Sequence, residues 1–162
     1  MPVRLLTPND LDRVLAINQS GVPGVGTIES AELAHLVDES SIALVATVDF
    51  LDDVIAGFCL VLGPGADYGS VNYRWFSEHY DDFVYLDRVA IAPEFQRLGL
   101  GRAMYEEVAR RGAAAEWFTL EVNLRPRNDG SLAFHDRLGF VEVGQQETDY
   151  GCLVSLMAKP IA

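Results

Sequence analysis

The sequence predicts a single α/β (α+β) domain, residues 1 to 162, built on a mixed sheet with helices on both faces. Three observations carry that prediction. The chain has 162 residues, and chains settle at roughly 100 to 200 residues per domain. Hydrophobic residues make up 49% and charged residues 22%, a globular balance that excludes a disordered tail protein or a collagen-like fibre. Helical-period segments alternate with runs rich in Val, Ile and Leu, and no internal repeat, low-complexity tract or linker interrupts them.

Val3 to Leu6 reads as a short strand, and Thr7-Pro8-Asn9-Asp10 supplies an N-cap, a proline at the first helical position and an acid in the first turn. A helix to about Ser20 follows. GVPGVG (Gly21 to Gly26) is a loop, and a second helix from about Glu29 carries Leu33, Leu36 and Val37 on one face. Ser41 to Asp49 and Val54 to Leu62 then read as strands, with Leu51-Asp52-Asp53 short enough to close an antiparallel hairpin. Residues 63 to 82 break the pattern with an aromatic and polar insert longer than most connections, which predicts a functional loop or lid. Beyond it come a strand over Phe83 to Ile91, a helix from Gly99 to about Arg111, a strand over Trp117 to Leu124 and a short helix over Ser131 to Leu138. Strands over Phe140 to Val143 and about Asp149 to Met157 close the chain. The helix from Gly99 gathers Leu100, Ala103, Met104 and Val108 on one face, as packing on a sheet requires.

Twenty-four acidic against twelve basic residues give a net charge of -12, with Lys159 the only lysine. Such a surface repels phosphate backbones, so nucleic acid and anionic membrane are poor partners, whereas a cationic substrate is drawn in. The apolar stretches fall far short of the roughly 20 residues that span a bilayer. The amino terminus meets Pro8 and Asp10 before any secretory core has formed, so the expected compartment is the cytoplasm. Cys59 and Cys152 lack the C-x-x-C spacing of metal or redox sites and read as buried thiols; no metal is expected.

The most informative run is VYLDRVAIAPEFQRLGLGRAMYEE, Val84 to Glu107. It is a strand, a short turn with Pro93, a glycine loop and a helix. Gly99 and Gly101 leave no side chain between the amides of residues 97 to 102 and an incoming anion, and the helix start adds favourable potential. Arg97 and Arg102 add charge-assisted donors. The bland alternative is a glycine-softened helix start without a ligand. The run has neither the lysine of a nucleoside triphosphatase loop nor the G-x-G-x-x-G of a dinucleotide fold.

Gln96-Arg97-Leu98-Gly99-Leu100-Gly101 resembles the acyl-CoA signature of the GNAT superfamily of N-acyltransferases, Q/R-x-x-G-x-G/A. About 30 residues on, LEVNLRPRNDGSLAFHDRLGF (Leu120 to Phe140) is similar to that family's strand, asparagine-led short helix and terminal Leu-Gly-Phe. The order of elements fits over nearly the whole chain. The resemblance implies a mostly antiparallel central sheet of about seven strands and acetyl-CoA as co-substrate, without metal. It places Val89, Ala90 and Ile91 on the strand that pairs with the pantetheine arm and polarises the thioester carbonyl. Arg97, Leu98, Gly99, Leu100, Gly101 and Arg102 then form the pyrophosphate loop. Asn128, Ser131 and His135 lie along the cofactor, although Asn128 is as natural an N-cap as a ligand.

The family's frequent general acid is a tyrosine where this chain has His135, a departure that makes His135 either the acid or a packed residue. An acceptor amine of lysine-like pKa is neutral in only about one molecule in 2,500 at pH 7, so a base is useful. By the same resemblance the first candidate is Asp87, with Tyr85 beside it and Glu121 in reserve on the neighbouring strand. The other reading of Asp87 is an ion pair with Arg88 or Arg4, or a carboxylate that only binds the ammonium. In the insert, Tyr73, Trp75 and Glu78 are the candidates to touch the acceptor, against the alternative that the aromatics pack into the core or a dimer interface. The expected activity is direct transfer of an acetyl or short acyl group from its CoA thioester to a primary amine of a small molecule or peptide. The alternative is a CoA-binding sensor that has lost turnover; a homodimer is compatible with either.

Overall fold

The computed structural model describes residues 3 to 48 and 53 to 161. Seven strands hydrogen-bond in the order β1-β2-β3-β4-β5-β7-β6: β1 (Val3–Leu5), β2 (Ile42–Thr47), β3 (Ile55–Leu62), β4 (Phe83–Ile91), β5 (Trp117–Arg125), β6 (Val141–Glu147) and β7 (Leu153–Pro160). Among the described residues five α-helices accompany them: α1 (Leu11–Ser20), α2 (Ser30–Glu39), α3 (Val71–His79), α4 (Leu100–Arg111) and α5 (Asp129–Arg137). The pair β4 and β5 is parallel, and the pairs β1/β2, β2/β3, β5/β7 and β6/β7 are antiparallel. A mixed, mostly antiparallel sheet of seven strands is thus the fold that the sequence led us to expect.

The chain forms two compact units, one of Met1–Leu62 with Leu86–Gly112, the other of Gly63–Tyr85 with Ala113–Ala162. In the first, β2 and β3 pair with Leu44 opposite Cys59. Every residue of β3 is buried, so both of its faces are covered, which is why this stretch is apolar without alternation. Helices α1 and α4 pack on it, α4 through Leu100, Met104, Tyr105 and Val108. The chain enters α1 through a one-turn 3-10 segment, Pro8–Asp10. There the Asp10 carboxylate accepts from the Thr7 amide at 2.7 Å and from Arg4 at 2.8 Å. Of the expected β2–β3 connection, Leu51 and Asp52 lie outside the described residues.

In the second unit β4 opens in register with β5 as Phe83 with Trp117 and Tyr85 with Thr119, and β5 runs antiparallel to β7, Glu121 opposite Leu156. Phe118 and Phe140 meet edge to face at 5.2 Å in its core. Two expectations need correction here. The insert contains helix α3, whose N-cap Ser70 accepts from the Tyr73 amide, so it is not an open loop. The last hairpin also lies later than expected, with residues 149 to 152 forming the turn between β6 and β7.

Candidate active site

Strand β4 carries the first set of expected site residues in the first unit. Its end, Ala90–Ile91, lies close under β3: a Cβ on Gly57 would stand 3.0 Å from the Ala90 carbonyl and 2.6 Å from Ile91 Cδ1. Ala90 is buried, and Val89 and Ile91 are partly exposed. A turn over Pro93–Phe95 then leads into the glycine loop. Gly99 is the N-cap of α4 with φ +78°, the left-handed region, and a Cβ there would meet nothing within 4 Å. Arg97 also lies in that region, at φ 64°, a conformation that costs a non-glycine residue about 1–2 kcal/mol and gathers at functional sites. Gln96, Arg97, Leu98 and Gly99 are exposed, and the first α4 amides have no partner within the helix. An exposed, glycine-capped helix start with open space over its cap fits a pyrophosphate. Arg102 departs from expectation in one respect: its guanidinium pairs with Glu106 along α4 at 3.1 Å, so it is one turn of helix chemistry before it is an anion ligand.

Asp87, the first candidate base, is ion-paired with Arg88. Arg88 Nε donates to Asp87 Oδ2 at 2.8 Å, while its Nη1 donates to Asn18 Oδ1 at 3.1 Å and to the Gly26 carbonyl at 3.3 Å. The Asp87 side chain is only 5% exposed, so the carboxylate serves to hold Arg88 and, through it, the loop after α1.

Tyr85, Glu121 and Tyr73 lie in the second unit. Tyr85 is fully buried, its ring contacting Tyr73 at 5.6 Å and Phe76 at 5.8 Å, and its hydroxyl donates to Glu121 Oε2 at 2.7 Å. Glu121 itself is partly exposed. The register explains the meeting, since Thr119 lies opposite Tyr85 and Glu121 follows two residues on, along the same face of β5. Glu121, the reserve candidate, is thus the carboxylate that the Tyr85 hydroxyl holds.

Of the insert residues, Tyr73 is core and does not reach solvent: it is 4% exposed, and its hydroxyl donates to the Gly63 carbonyl and accepts from the Ala66 amide. Trp75 stacks on His79 at 3.8 Å and lies over Gly144, where a Cβ would come within 2.8 Å of its ring. Glu78 is on the exposed side of α3. Sequence reasoning missed Tyr150, in the β6–β7 turn, whose hydroxyl accepts from Asn72 Nδ2 at 2.9 Å. Burial of the phenol, then the Glu121 charge, push its pKa up, which keeps it a hydrogen-bond donor. The signal available was an aromatic in a polar turn, Thr148-Asp149-Tyr150-Gly151.

Asn128 caps α5, accepting from the Ser131 amide at 3.1 Å, as its alternative reading had it. His135 is 5% exposed, with Nδ1 2.7 Å from the Ser131 carbonyl and its ring against Phe134 and Phe140. Burial holds its pKa below the ordinary 6.5. This is a packed environment, the alternative that the sequence left open beside the general-acid role. A consequence follows for stability. The unfolded chain binds this proton more readily than the folded one, so stability is complete above pH about 6.5 and is lost as pH falls from there toward the lowered folded value. Thermal unfolding between pH about 7.5 and 5 should show that slope, and His135→Leu should flatten it. Asp10 leaves this window undisturbed, because its carboxyl, held low by Arg4, loses its contribution only below the ordinary carboxylate range.

Cys59 is fully buried and desolvation pushes its thiol pKa up to about 12, which suits packing and no nucleophile; Cys152, expected buried, is partly exposed. Among the described residues no group of three or more His, Cys, Asp or Glu is placed to hold a metal ion. No helix among them is long and apolar enough to cross a membrane.

Comparison with known proteins bears on the same elements. Over 65 residues the chain is 42% identical to the ribosomal protein bS18-alanine N-acetyltransferase of Escherichia coli K12, a match spanning 38% of this chain and 41% of that protein's length. The crystal structure of the Escherichia coli ribosomal-protein-S18-alanine N-acetyltransferase superimposes with a TM-score of 0.75 at 21% identity, covering 99% of this chain and 94% of that one. The Salmonella typhimurium protein yncA, solved with its cofactor acetyl-CoA, gives 0.72 at 17% identity, covering 100% and 94%. These structural likenesses carry the fold. The family model described as Acetyltransferase (GNAT) family matches residues 18–140, a span that runs from the last turn of α1 through the glycine loop to Phe140, and the chain belongs to that family.

Proposed function

We propose that this chain transfers an acetyl group from acetyl-CoA to the α-amino group of a peptide or protein by direct attack of the amine. The observation that carries the reading is the Tyr85–Glu121 hydrogen bond at 2.7 Å, which fixes a partly exposed carboxylate beside the Tyr150 phenol. Acetyl-CoA, when bound, supplies an acyl group activated as a thioester. The amides of Leu98 to Arg102 and the Arg97 guanidinium hold its pyrophosphate, and the β4 backbone over Val89 to Ile91 orients its acyl end. Glu121 binds the acceptor ammonium and accepts its proton. An α-amine of pKa about 7.7–8.0 is already about a tenth or more neutral at pH 7, so the demand on that carboxylate is mild. The net charge of -12 favours approach of a cationic terminus. The alanine-acetylating relative supports a peptide acceptor, and the cytoplasm is the compartment such a reading requires.

The test is release of coenzyme A from acetyl-CoA on addition of an alanine-terminated pentapeptide amide, with phenethylamine as a small-amine comparator. Turnover of the peptide supports the reading. Selective binding of acetyl-CoA without turnover of any amine favours instead a sensor that has kept the cofactor loop. Within this reading Tyr85→Phe should lower kcat by about five- to twentyfold, the range of a lost hydrogen bond to a charged group. It should leave the KM for acetyl-CoA unchanged, because the hydroxyl meets Glu121 and the ring stays in place.

A further inference from the structure

Helix α3 is the part of the fold that sequence reasoning understood least, and its first turn is placed against both phenols of the acceptor side. Tyr73 packs its ring on Tyr85 at 5.6 Å. The preceding residue, Asn72, is 1% exposed and spends both ends of its carboxamide on the β6–β7 hairpin: Nδ2 donates to the Tyr150 hydroxyl at 2.9 Å, and Oδ1 accepts from Gln146 Nε2 at 3.0 Å. Burying an amide is costly unless it is bonded, and here the bonds reach a tyrosine that is 57% exposed. What the geometry delivers is an open ring whose hydroxyl is held in place. Because that hydroxyl accepts from Asn72, its own proton points elsewhere.

We propose that Asn72 is a positioning residue for acceptor binding: it holds Tyr150 so that the ring and hydroxyl form the wall against which the substituent of the acceptor amine rests, beside Glu121. The inserted helix thereby sets acceptor affinity without touching the acceptor. Gln146 fixes the sense of the Asn72 carboxamide, so that nitrogen and not oxygen faces the phenol.

This inference rests on the proposed acetyl transfer to an amine, and the test keeps the two apart. Binding of the alanine-terminated pentapeptide amide is measured by isothermal titration with coenzyme A present, so that no turnover occurs, beside steady-state kinetics with acetyl-CoA. The variants are Asn72→Ala, Tyr150→Phe, the double variant, and Gln146→Leu, which loosens the carboxamide while leaving the buried position intact. Asn72→Ala and Tyr150→Phe should each weaken peptide binding about five- to tenfold, with the KM for acetyl-CoA unchanged. The decisive result is their combination. If Asn72 acts through the Tyr150 hydroxyl, the double variant binds the peptide no worse than Tyr150→Phe alone, whereas independent structural losses would multiply. Gln146→Leu should show the same dependence on Tyr150. Multiplying losses, or a change confined to thermal stability, overturns the proposal. Peptide binding without turnover in the wild type sinks the acetyl-transfer reading and leaves this one to the binding cycle. No binding of the peptide or of phenethylamine at millimolar concentration overturns the assignment of Tyr150 to an amine.

Discussion

Glu121→Gln is expected to lower kcat/KM for the peptide amine by about 10²- to 10³-fold, the range in which a positioned base contributes. Glutamine keeps the shape and still accepts from Tyr85, so the partner that reaches Glu121 at 2.7 Å is not orphaned and the variant should fold. What is lost is the negative charge that holds the ammonium and takes its proton. The deficit therefore depends on how much of the acceptor is charged. Below pH about 7 most of an α-amine is protonated and the full loss is seen; above pH about 9 most is neutral and the gap to wild type narrows. A loss that stayed constant from pH 6 to 9.5 would assign Glu121 to packing. Asp87→Asn provides the contrast. Its carboxylate neutralises Arg88, whose side chain is 12% exposed, and removing that charge leaves a mostly buried guanidinium with less compensation. The thermal midpoint should fall with a smaller change in the amine's kcat/KM, the opposite order to Glu121→Gln.

What the sequence made legible, and what it did not, divides by how far apart the deciding groups lie along the chain. The glycine loop is local: Gly99 must adopt a positive φ, its neighbours must be exposed, and a helix must follow, all within one run of residues. The apolar strands β2 and β3 are local in the same sense, since burial on both faces writes itself as unbroken Val, Ile and Leu. The Tyr85–Glu121 pair is not local. It depends on the parallel register that sets Tyr85 opposite Thr119, and no property of either residue announces that offset. Asp87 beside Arg88 reads as a base or an ion pair equally, and the anchoring of Arg88 by Asn18 from α1 depends on a residue far away in the chain. Helix α3 escaped notice because its inward face is Asn72, Tyr73 and Phe76, a buried face with helical spacing but without the aliphatic residues that make such spacing conspicuous. Similarly, β6 is an edge strand with mostly exposed residues and a glycine, so its hydrophobic pattern ends before the strand does.

Gly57→Val should be among the most destabilising single substitutions in the chain, and it tests the end of β4 that is proposed to orient the acyl group. Gly57 lies within β3 beside a register shift, where Ala46 faces Gly57 and Thr47 faces Ile55, and its φ is outside the left-handed region. Its role is to let β4 come close: Ala92 N donates to the Ala56 carbonyl at 2.7 Å, and a Cβ at 57 would sit 2.6 Å from Ile91 Cδ1 and 3.0 Å from the Ala90 carbonyl oxygen. The Ile91 side chain can rotate away, but the carbonyl is backbone and moves only with its strand. Overpacking of this kind costs about 1–3 kcal/mol, more where backbone must shift. For a chain of this size that corresponds to a thermal midpoint lower by about 5–10 °C. Gly57→Ala, with one methyl instead of three carbons, should cost less and let the two consequences be separated. The displaced carbonyl belongs to Ala90, in the stretch proposed to orient the acyl end of acetyl-CoA, so the alanine variant should bind acetyl-CoA more weakly even at temperatures where it is fully folded. Binding of acetyl-CoA at wild-type strength by a destabilised but folded Gly57→Ala would mean that the backbone at Ala90 and Ile91 does not take part in holding the thioester.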